Sequence, residues 1–273
     1  MKKTLSLPLL TALIFGYAFL YGPIVSLIIY SFNESRLVTV WGGWSTKWYG
    51  ELLNNEQILD AAWLSIKIAT ISASFAVVLG TLAALALVKF KRFRGRGSLS
   101  LMLTAPLVMP EVIIGLSLLL LFVSMEEVLG WPDGRGQTTI IIAHMTFAIA
   151  YVTVVVRSRL AHFDFSLEEA AMDLGARPIK VFFSITLPLI APALIAGWLL
   201  AFTLSLDDLV VASFVSGPGA TTLPMVVYSS VRLGVSPEIN ALATLIVLLV
   251  SLAVLIAGVV MFRQEKQRQR EMS

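Results

Sequence analysis

The chain has 273 residues, 58% of them hydrophobic and 14% charged, with a formal net charge of +3. Soluble domains carry roughly 25% charged residues; here the deficit gathers into long uncharged apolar runs, which is the pattern of a membrane protein. The chain has no cysteine, which excludes a disulfide framework and any Cys-based metal or redox site, and so small a net charge is no signature of nucleic-acid binding.

A helix needs about 20 mostly apolar residues to cross a bilayer. Lipid offers backbone groups no partners, so each crossing is helical. Six stretches qualify, at roughly 7–31, 64–88, 99–124, 138–156, 182–206 and 239–262, making residues 1–273 one all-α polytopic domain. The run 5–30 follows Lys2 and Lys3 but is too long for a signal-peptide core, and no small-x-small cleavage pattern follows it; the sequence predicts a retained first span. Fifteen of the twenty lysines and arginines fall on one side of these spans, at 2–3, 89–96, 157–180 and 263–270. Four fall on the other, Arg36, Lys47, Arg135 and Arg232, with Lys67 at a span end. That imbalance puts both termini, and the loop 157–188, in the cytoplasm.

The first outer loop carries Trp41, Trp44, Trp48 and Tyr49. Two readings stand: an aromatic belt at the membrane interface, or a surface that receives a partner from outside. Glu111 falls near the middle of the third span, where a charge on a lone helix costs about 2.5–3.5 kcal/mol and is functional by default. Pro106 and Pro110 bend that helix, and Gly115 follows one turn later. In the fourth span His144 reads as a hydrogen-bonded structural histidine rather than a proton relay. With His162 alone in the following loop, no metal site is expected. Asp207 and Asp208 close the fifth apolar run. Neighbouring helical positions diverge by about 100°, so one of the pair faces a pathway and the other pairs with a neighbour or water. Solvation at the interface is the alternative for all three acids. Residues 216–222 read as a turn-rich connector.

The loop before the fifth span is the most specific segment. Ser166 followed by Glu169 forms a capping box that starts a helix over 167–174, and Gly175 ends it at the C′ position. Pro178 opens a second short helix through Val181, Phe182 and Phe183; Pro188 and Pro192 mark entry into the fifth span. The elbow presents Glu168, Glu169 and Asp173 to the cytoplasm, while small Ala170 and Ala171 allow close approach of another surface. Amphipathic surface helices favour Lys and Arg on the polar face; this one leads with acids.

The pattern Glu169-Ala170-Ala171, Gly175, Ile185-Thr186-Leu187-Pro188 resembles the signature loop of the membrane subunits of bacterial ABC importers. Nearly end to end the chain is similar to the polyamine branch of that family, through Tyr30-Ser31-Phe32-Asn33, Thr46-Lys47-Trp48-Tyr49, the segment from Leu199 to Asp208 and that from Ser236 to Thr244. The resemblance implies a type I importer permease fold with a cytoplasmic coupling helix between the fourth and fifth spans. It implies that Glu169, Ala170, Ala171 and Gly175 dock in a cleft of a separate ATP-hydrolysing subunit. It further implies a polyamine substrate, putrescine first with spermidine as the alternative. The implied partners are a homologous but different permease, two ATP-binding subunits and a periplasmic binding protein. No Gly-x4-Gly-Lys-Ser/Thr loop is present, so no catalytic residue and no cofactor is assigned to this chain; ATP and its magnesium belong to the partner. Glu111, Asp207 and Asp208 are the candidate substrate-path residues, since a dication leaving water needs carboxylates or other oxygens in compensation. An ion-gradient carrier is the weaker alternative, for it would need its own ion site and often shows inverted repeats. A non-transporting scaffold leaves the intramembrane acids unexplained.

Overall fold

Prolines, glycines and side-chain caps decide where the apolar runs of this chain become helices and where they stop. The computed structural model describes residues 7–37, 40–90, 92–233, 237–252 and 255. Lys2, Lys3, Lys91, the basic stretch 263–270 and the second half of the expected sixth span lie outside the described residues. In chain order the helices are α1 (Leu7–Tyr30), α2 (Lys47–Leu53), α3 (Glu56–Lys89), α4 (Arg96–Val108), α5 (Glu111–Leu129), α6 (Gln137–Ala161), α7 (Ser166–Asp173) and α8 (Pro178–Val181). A π-helical turn (Phe182–Thr186) leads into α9 (Leu187–Leu206), followed by α10 (Val210–Val215), α11 (Leu223–Leu233) and α12 (Pro237–Leu252). Among the described residues there is no strand, only an isolated bridge between Asn33 and Trp44.

Among the described residues five stretches are long and apolar enough to cross a membrane: α1, α3, α5, α6 and the continuous run Pro178–Leu206. Two differ from expectation for clear reasons. The second begins at Glu56 rather than 64, because Asn55 caps it, its Oδ1 accepting the Ile58 N–H at 3.2 Å. The polar residues Glu56, Gln57 and Asp60 hid that start. The expected third span, 99–124, is two helices. Met109 is extended (φ −74°, ψ 138°), as the residue before a proline prefers, and α5 starts afresh after Pro110. The entry to the fifth span is continuous through Pro188, which has no N–H for the carbonyl of Ser184, and the preceding turn widens to π geometry.

By internal contacts the chain forms two units, residues 1–59 with 227–273, and residues 60–226. In the first, nothing of α1 is buried. The loop after it is organised by Asn33. Its Oδ1 accepts the N–H groups of Ser35 (3.2 Å) and Gly42 (2.8 Å), and its Nδ2 donates to the Val40 carbonyl at 2.8 Å. The Trp48 indole donates to the Asn33 carbonyl at 2.7 Å, and the hydroxyls of Ser31 and Tyr49 pair at 2.7 Å. Trp48 is therefore the buried centre of the loop and no belt residue, whereas Trp44 is 73% exposed.

In the second unit α6 is the central helix. It packs against α4, α5, α9 and α10 and buries Ile140, Ala143, Phe147, Ala148, Val152 and Val156. From α3 comes a stripe of small buried residues at helical spacing, Ala69, Ala73, Ala76, Gly80 and Ala84, the composition that lets membrane helices approach closely. Val152 of α6 sits where α3 and α9 both offer a glycine. A Cβ on Gly80 would lie 2.8 Å from Val152 Cγ1, and one on Gly197 would lie 3.4 Å from the same atom. Gly217 has a similar duty, its backbone lying against the carbonyl of Arg135; the connector 216–222 is anchored there and at buried Ala220 and Thr222, while Pro218, Gly219 and Thr221 are exposed.

Val152 is β-branched and stiff at χ1, so it has little room to yield. Gly80→Ala is expected to destabilise the chain by about 1–3 kcal/mol through overpacking, read as a lower thermal midpoint in detergent. Adding Val152→Ala is expected to recover part of the loss; no loss in the single variant would mean that α3 and α6 do not meet at Gly80.

Candidate functional site

Two helix interruptions converge on one cavity within residues 60–226. The first is the α4–α5 break at Met109 and Pro110; the second is the unwound segment Asp207, Asp208 and Leu209 between α9 and α10. Together with Phe147 and Tyr151 of α6, these two breaks line a cavity of about 480 Å³. Non-helical backbone at membrane depth is tolerated only where protein or a water-filled cavity surrounds it.

The three candidate path acids occupy different situations. Glu111 is not mid-helix: the break at Pro110 puts it in the first turn of α5, exposed and lining the cavity. Its charge there complements the positive end of the helix dipole, which lightens the cost that a mid-span position would carry. Asp207 is the C-cap residue of α9 and is also exposed at the cavity. Among the described residues neither Glu111 nor Asp207 forms an ion pair.

Asp208 is fully engaged. Its Oδ1 accepts the Val211 N–H at 3.2 Å and its Oδ2 the Ala212 N–H at 2.7 Å, so it caps α10. The same Oδ2 lies 3.1 Å from His144 Nε2, and the Ser205 hydroxyl meets His144 Nδ1 at 2.6 Å. A carboxylate only accepts, so Nε2 carries the proton that faces Asp208. His144 and Ser205 are buried; the array braces the second helix break and offers no open nucleophile. His144 is the structural histidine expected.

Tyr151 and Phe147 were missed by the sequence reading. They lie one turn apart on the face of α6 that carries His144, a 144/147/151 stripe readable from helical spacing alone. Their rings supply an apolar wall with the negative faces that attract cations. The arrangement as a whole suits a cation: among the described residues the lining has two carboxylates without an ion pair, two aromatic rings and no basic side chain. Among the described residues no group of three His, Asp or Glu side chains gathers to hold a metal ion.

The second candidate region is the segment after α6. Helix α7 runs close to expectation, but Ser166 is not its cap. Asp164 performs that task, its Oδ1 accepting the Ser166 N–H at 3.0 Å, and no capping box forms at Ser166. Hydrogen bonds from the Ser166 side chain and backbone hold the Asp164 carboxyl below its usual value, against a smaller desolvation effect. Gly175 ends the helix as predicted. With φ at 85° it closes a Schellman motif in which its own N–H reaches Met172 O at 2.9 Å and the Ala176 N–H reaches Ala171 O at 3.1 Å. Glu169, Ala170 and Asp173 are exposed and Ala171 half-buried. Beside them stand Leu174, 90% exposed, and Ile179.

Glu168 departs from expectation: it is turned inward and buried. Its Oε2 meets Lys89 Nζ at 2.5 Å and its Oε1 accepts the Thr186 hydroxyl. Lys89 lies 79 residues away and Thr186 18 residues away. No spacing rule links them, so nothing in the sequence signals the contact.

A family model described as binding-protein-dependent transport system inner membrane component matches residues 76–269. The chain is 63% identical over 259 residues to the putrescine transport system permease protein PotI of Escherichia coli strain K12, covering 95% of this chain and 92% of that protein. It is 46% identical over 249 residues to the spermidine/putrescine transport system permease protein PotC of the same organism, covering 91% of each. Among solved structures it matches a chain of a bacterial ABC transporter involved in the import of the acidic polysaccharide alginate with a TM-score of 0.71 at 19% identity, covering 94% of this chain and 93% of that one.

Two outcomes follow from this geometry. Asp208→Ala strands two N–H groups and the proton of a buried imidazole, and is expected to destabilise the fold by about 3 kcal/mol, whereas Asp207→Ala is expected to leave the thermal midpoint nearly unchanged; equal midpoints would remove the brace. For Asp164 the folded-state pKa is lowered, so its capping contribution is present above the unfolded-state value and is lost as pH falls through the folded one. A spin label on exposed Leu167 is expected to report a fixed first turn of α7 down through the ordinary carboxylate range and fraying below it; Asp164→Asn is expected to abolish that pH dependence.

Proposed function

The chain belongs to the binding-protein-dependent transport system inner membrane components, and from that premise we propose that it carries a polyamine, putrescine first, from periplasm to cytoplasm as one permease subunit of an ATP-driven importer. The observation that carries the substrate is the 63% identity to a putrescine permease over nearly the whole chain. Spermidine is the second reading, supported by the 46% identity to a spermidine/putrescine permease; the wider gap to that relative favours putrescine.

In this reading six spans cross the membrane with both termini cytoplasmic. Five described stretches and the start of α12 are consistent with that count, and the asymmetry of lysine and arginine supports the orientation. Helix α7 is the coupling helix. Exposed Glu169, Ala170 and Asp173, with half-buried Ala171, face an ATP-binding subunit, and Gly175 fixes the elbow that presents them. This chain pairs with a homologous but different permease, two copies of the ATP-binding subunit and a periplasmic binding protein. ATP and its magnesium are held by the ATP-binding subunits, and this chain contributes no hydrolytic residue.

The substrate path runs through the acid-lined cavity. A diamine leaving water as a dication meets Glu111 and Asp207 in turn, with Tyr151 and Phe147 covering its ammonium groups. Two exposed acids with no fixed cation bind firmly enough to admit the amine and weakly enough to release it. Asp208, already saturated, shapes the path and does not bind. ATP binding closes the motor dimer, the coupling helices move with it, and the two permeases rock about the cavity to expose it to alternate sides.

The test is uptake into proteoliposomes holding the assembled complex, with binding protein outside and ATP inside. Putrescine uptake that needs both is expected, with slower spermidine uptake and none of a neutral amino acid. Uptake indifferent to ATP would overturn the coupling; amino-acid uptake in place of amine would overturn the substrate. Glu111→Gln is expected to lower kcat/KM for putrescine about tenfold, the size of losing one charged contact of ~1.5 kcal/mol, with assembly intact; an unchanged rate takes Glu111 out of the path.

A further inference from the structure

The buried carboxylate of Glu168 is not used by the docking surface, and its surroundings give it another task. It stands on α7 among exposed neighbours yet points inward, between the last turn of α3 and the π-helical turn that opens the run into α9. Both of its oxygens are occupied, Oε2 by Lys89 and Oε1 by the hydroxyl of Thr186. Lys89 is held from a second direction, its ammonium lying 5.7 Å from the centroid of the Phe165 ring on the same segment. One side chain thus joins three elements, one of which lies 79 residues away in sequence.

A buried ion pair is poor evidence of stability by itself, because apolar residues of similar volume often serve as well. What a charged and directional contact adds is a fixed geometry. The turn it grips is the one place where the run Pro178–Leu206 departs from α-helical bonding, and π-turns are frequent at functional sites.

We propose that Glu168 is a positioning residue that locks α7 to the Lys89 end of α3 and to the Phe182–Thr186 turn, so that a push on α7 moves both long helices as one body. This rests on the reading of α7 as the coupling helix. Without the lock, α7 yields to its docked partner while α3 and α9 lag, and ATP is spent without transport. The lock is separate from docking, since Glu169, Ala170 and Asp173 remain exposed whatever Glu168 does.

The experiment uses the complete complex in proteoliposomes and nanodiscs. Wild type is compared with Glu168→Gln, which keeps an acceptor for Thr186 but loses the charge facing Lys89, with Lys89→Met and with Lys89→Arg. Two quantities are read: ATP hydrolysed per putrescine imported, and the spacing between spin labels at Phe90 and Leu167. Glu168→Gln and Lys89→Met are each expected to raise the ATP-per-amine ratio about tenfold, as loss of one charge-assisted contact implies, and to broaden the label spacing, with ATP-binding subunit co-purified as in wild type. Lys89→Arg is expected to behave as wild type, and the Glu168→Gln/Lys89→Met double variant no worse than the poorer single one. A wild-type ratio and spacing in both single variants would overturn the lock. Should Glu168→Gln fail to assemble, Lys89→Met decides by the same two readings. Wild-type uptake that ignores ATP would strike the coupling reading itself, and the label spacing would then judge the contact independently.

Discussion

Lipid supplies no hydrogen-bond partners, so every interruption of a helix in this chain must be answered from within the protein. That constraint organises the second unit. The break at Pro110 costs little because proline has no N–H to strand and because Glu111 meets the positive end of the new helix. The break at Asp207–Leu209 exposes the first donors of α10, and Asp208 answers them with both oxygens while His144 and Ser205 hold it from behind. Once satisfied in this way, the two breaks are free to face a common cavity, and polar backbone is available where a chain of pure helices would present only side chains.

The breaks can face each other only because the helices behind them come close. Gly80 and Gly197 leave room on two sides of Val152, and the alanine stripe of α3 lets that helix lie near α6. Gly115 performs the same service next to the cavity, where an added Cβ would meet the ring of Phe214 at 2.6 Å. Between hydrocarbon-facing helices there is no hydrophobic drive to associate, so closeness and shape carry the assembly. Small residues in the walls and polar residues at the breaks are therefore two parts of one solution.

Five long apolar helices were legible in the sequence because run length and apolarity are one-dimensional properties, whereas the break that divides 99–124 at Met109 and Pro110 was not. The elbow at Gly175 was legible because a left-handed C′ residue is a local requirement. What one dimension hides is direction. Glu168 and Glu169 are adjacent acids at the head of one short helix, and nothing in their spacing tells which one Lys89 and Thr186 will claim. Ser166 had the composition of a cap, yet it is itself the first residue of α7: its own N–H goes to Asp164 Oδ1, and the Glu168 and Glu169 N–H groups go to the Phe165 carbonyl. The aromatic loop hid its logic in the same way. Tyr30-Ser31-Phe32-Asn33 and Thr46-Lys47-Trp48-Tyr49 read as two separate matches to a family, but Ser31 bonds Tyr49 and Asn33 bonds Trp48, so they are the two halves of one structure.

The acids of this chain divide by partner rather than by type. Asp208 and Glu168 are saturated by fixed donors and have nothing left to offer a ligand; they hold geometry. Glu111 and Asp207 at the cavity form no ion pair with the described residues, and their charge is available. The proposed substrate path uses both kinds at close quarters. A cation that met only saturated carboxylates would find no compensation for its lost water, and one that met flexible carboxylates on a yielding frame would be bound wherever the frame relaxed around it. Adjacent Asp207 and Asp208 put the two kinds side by side, with the braced acid fixing the backbone from which the free one reaches the cavity.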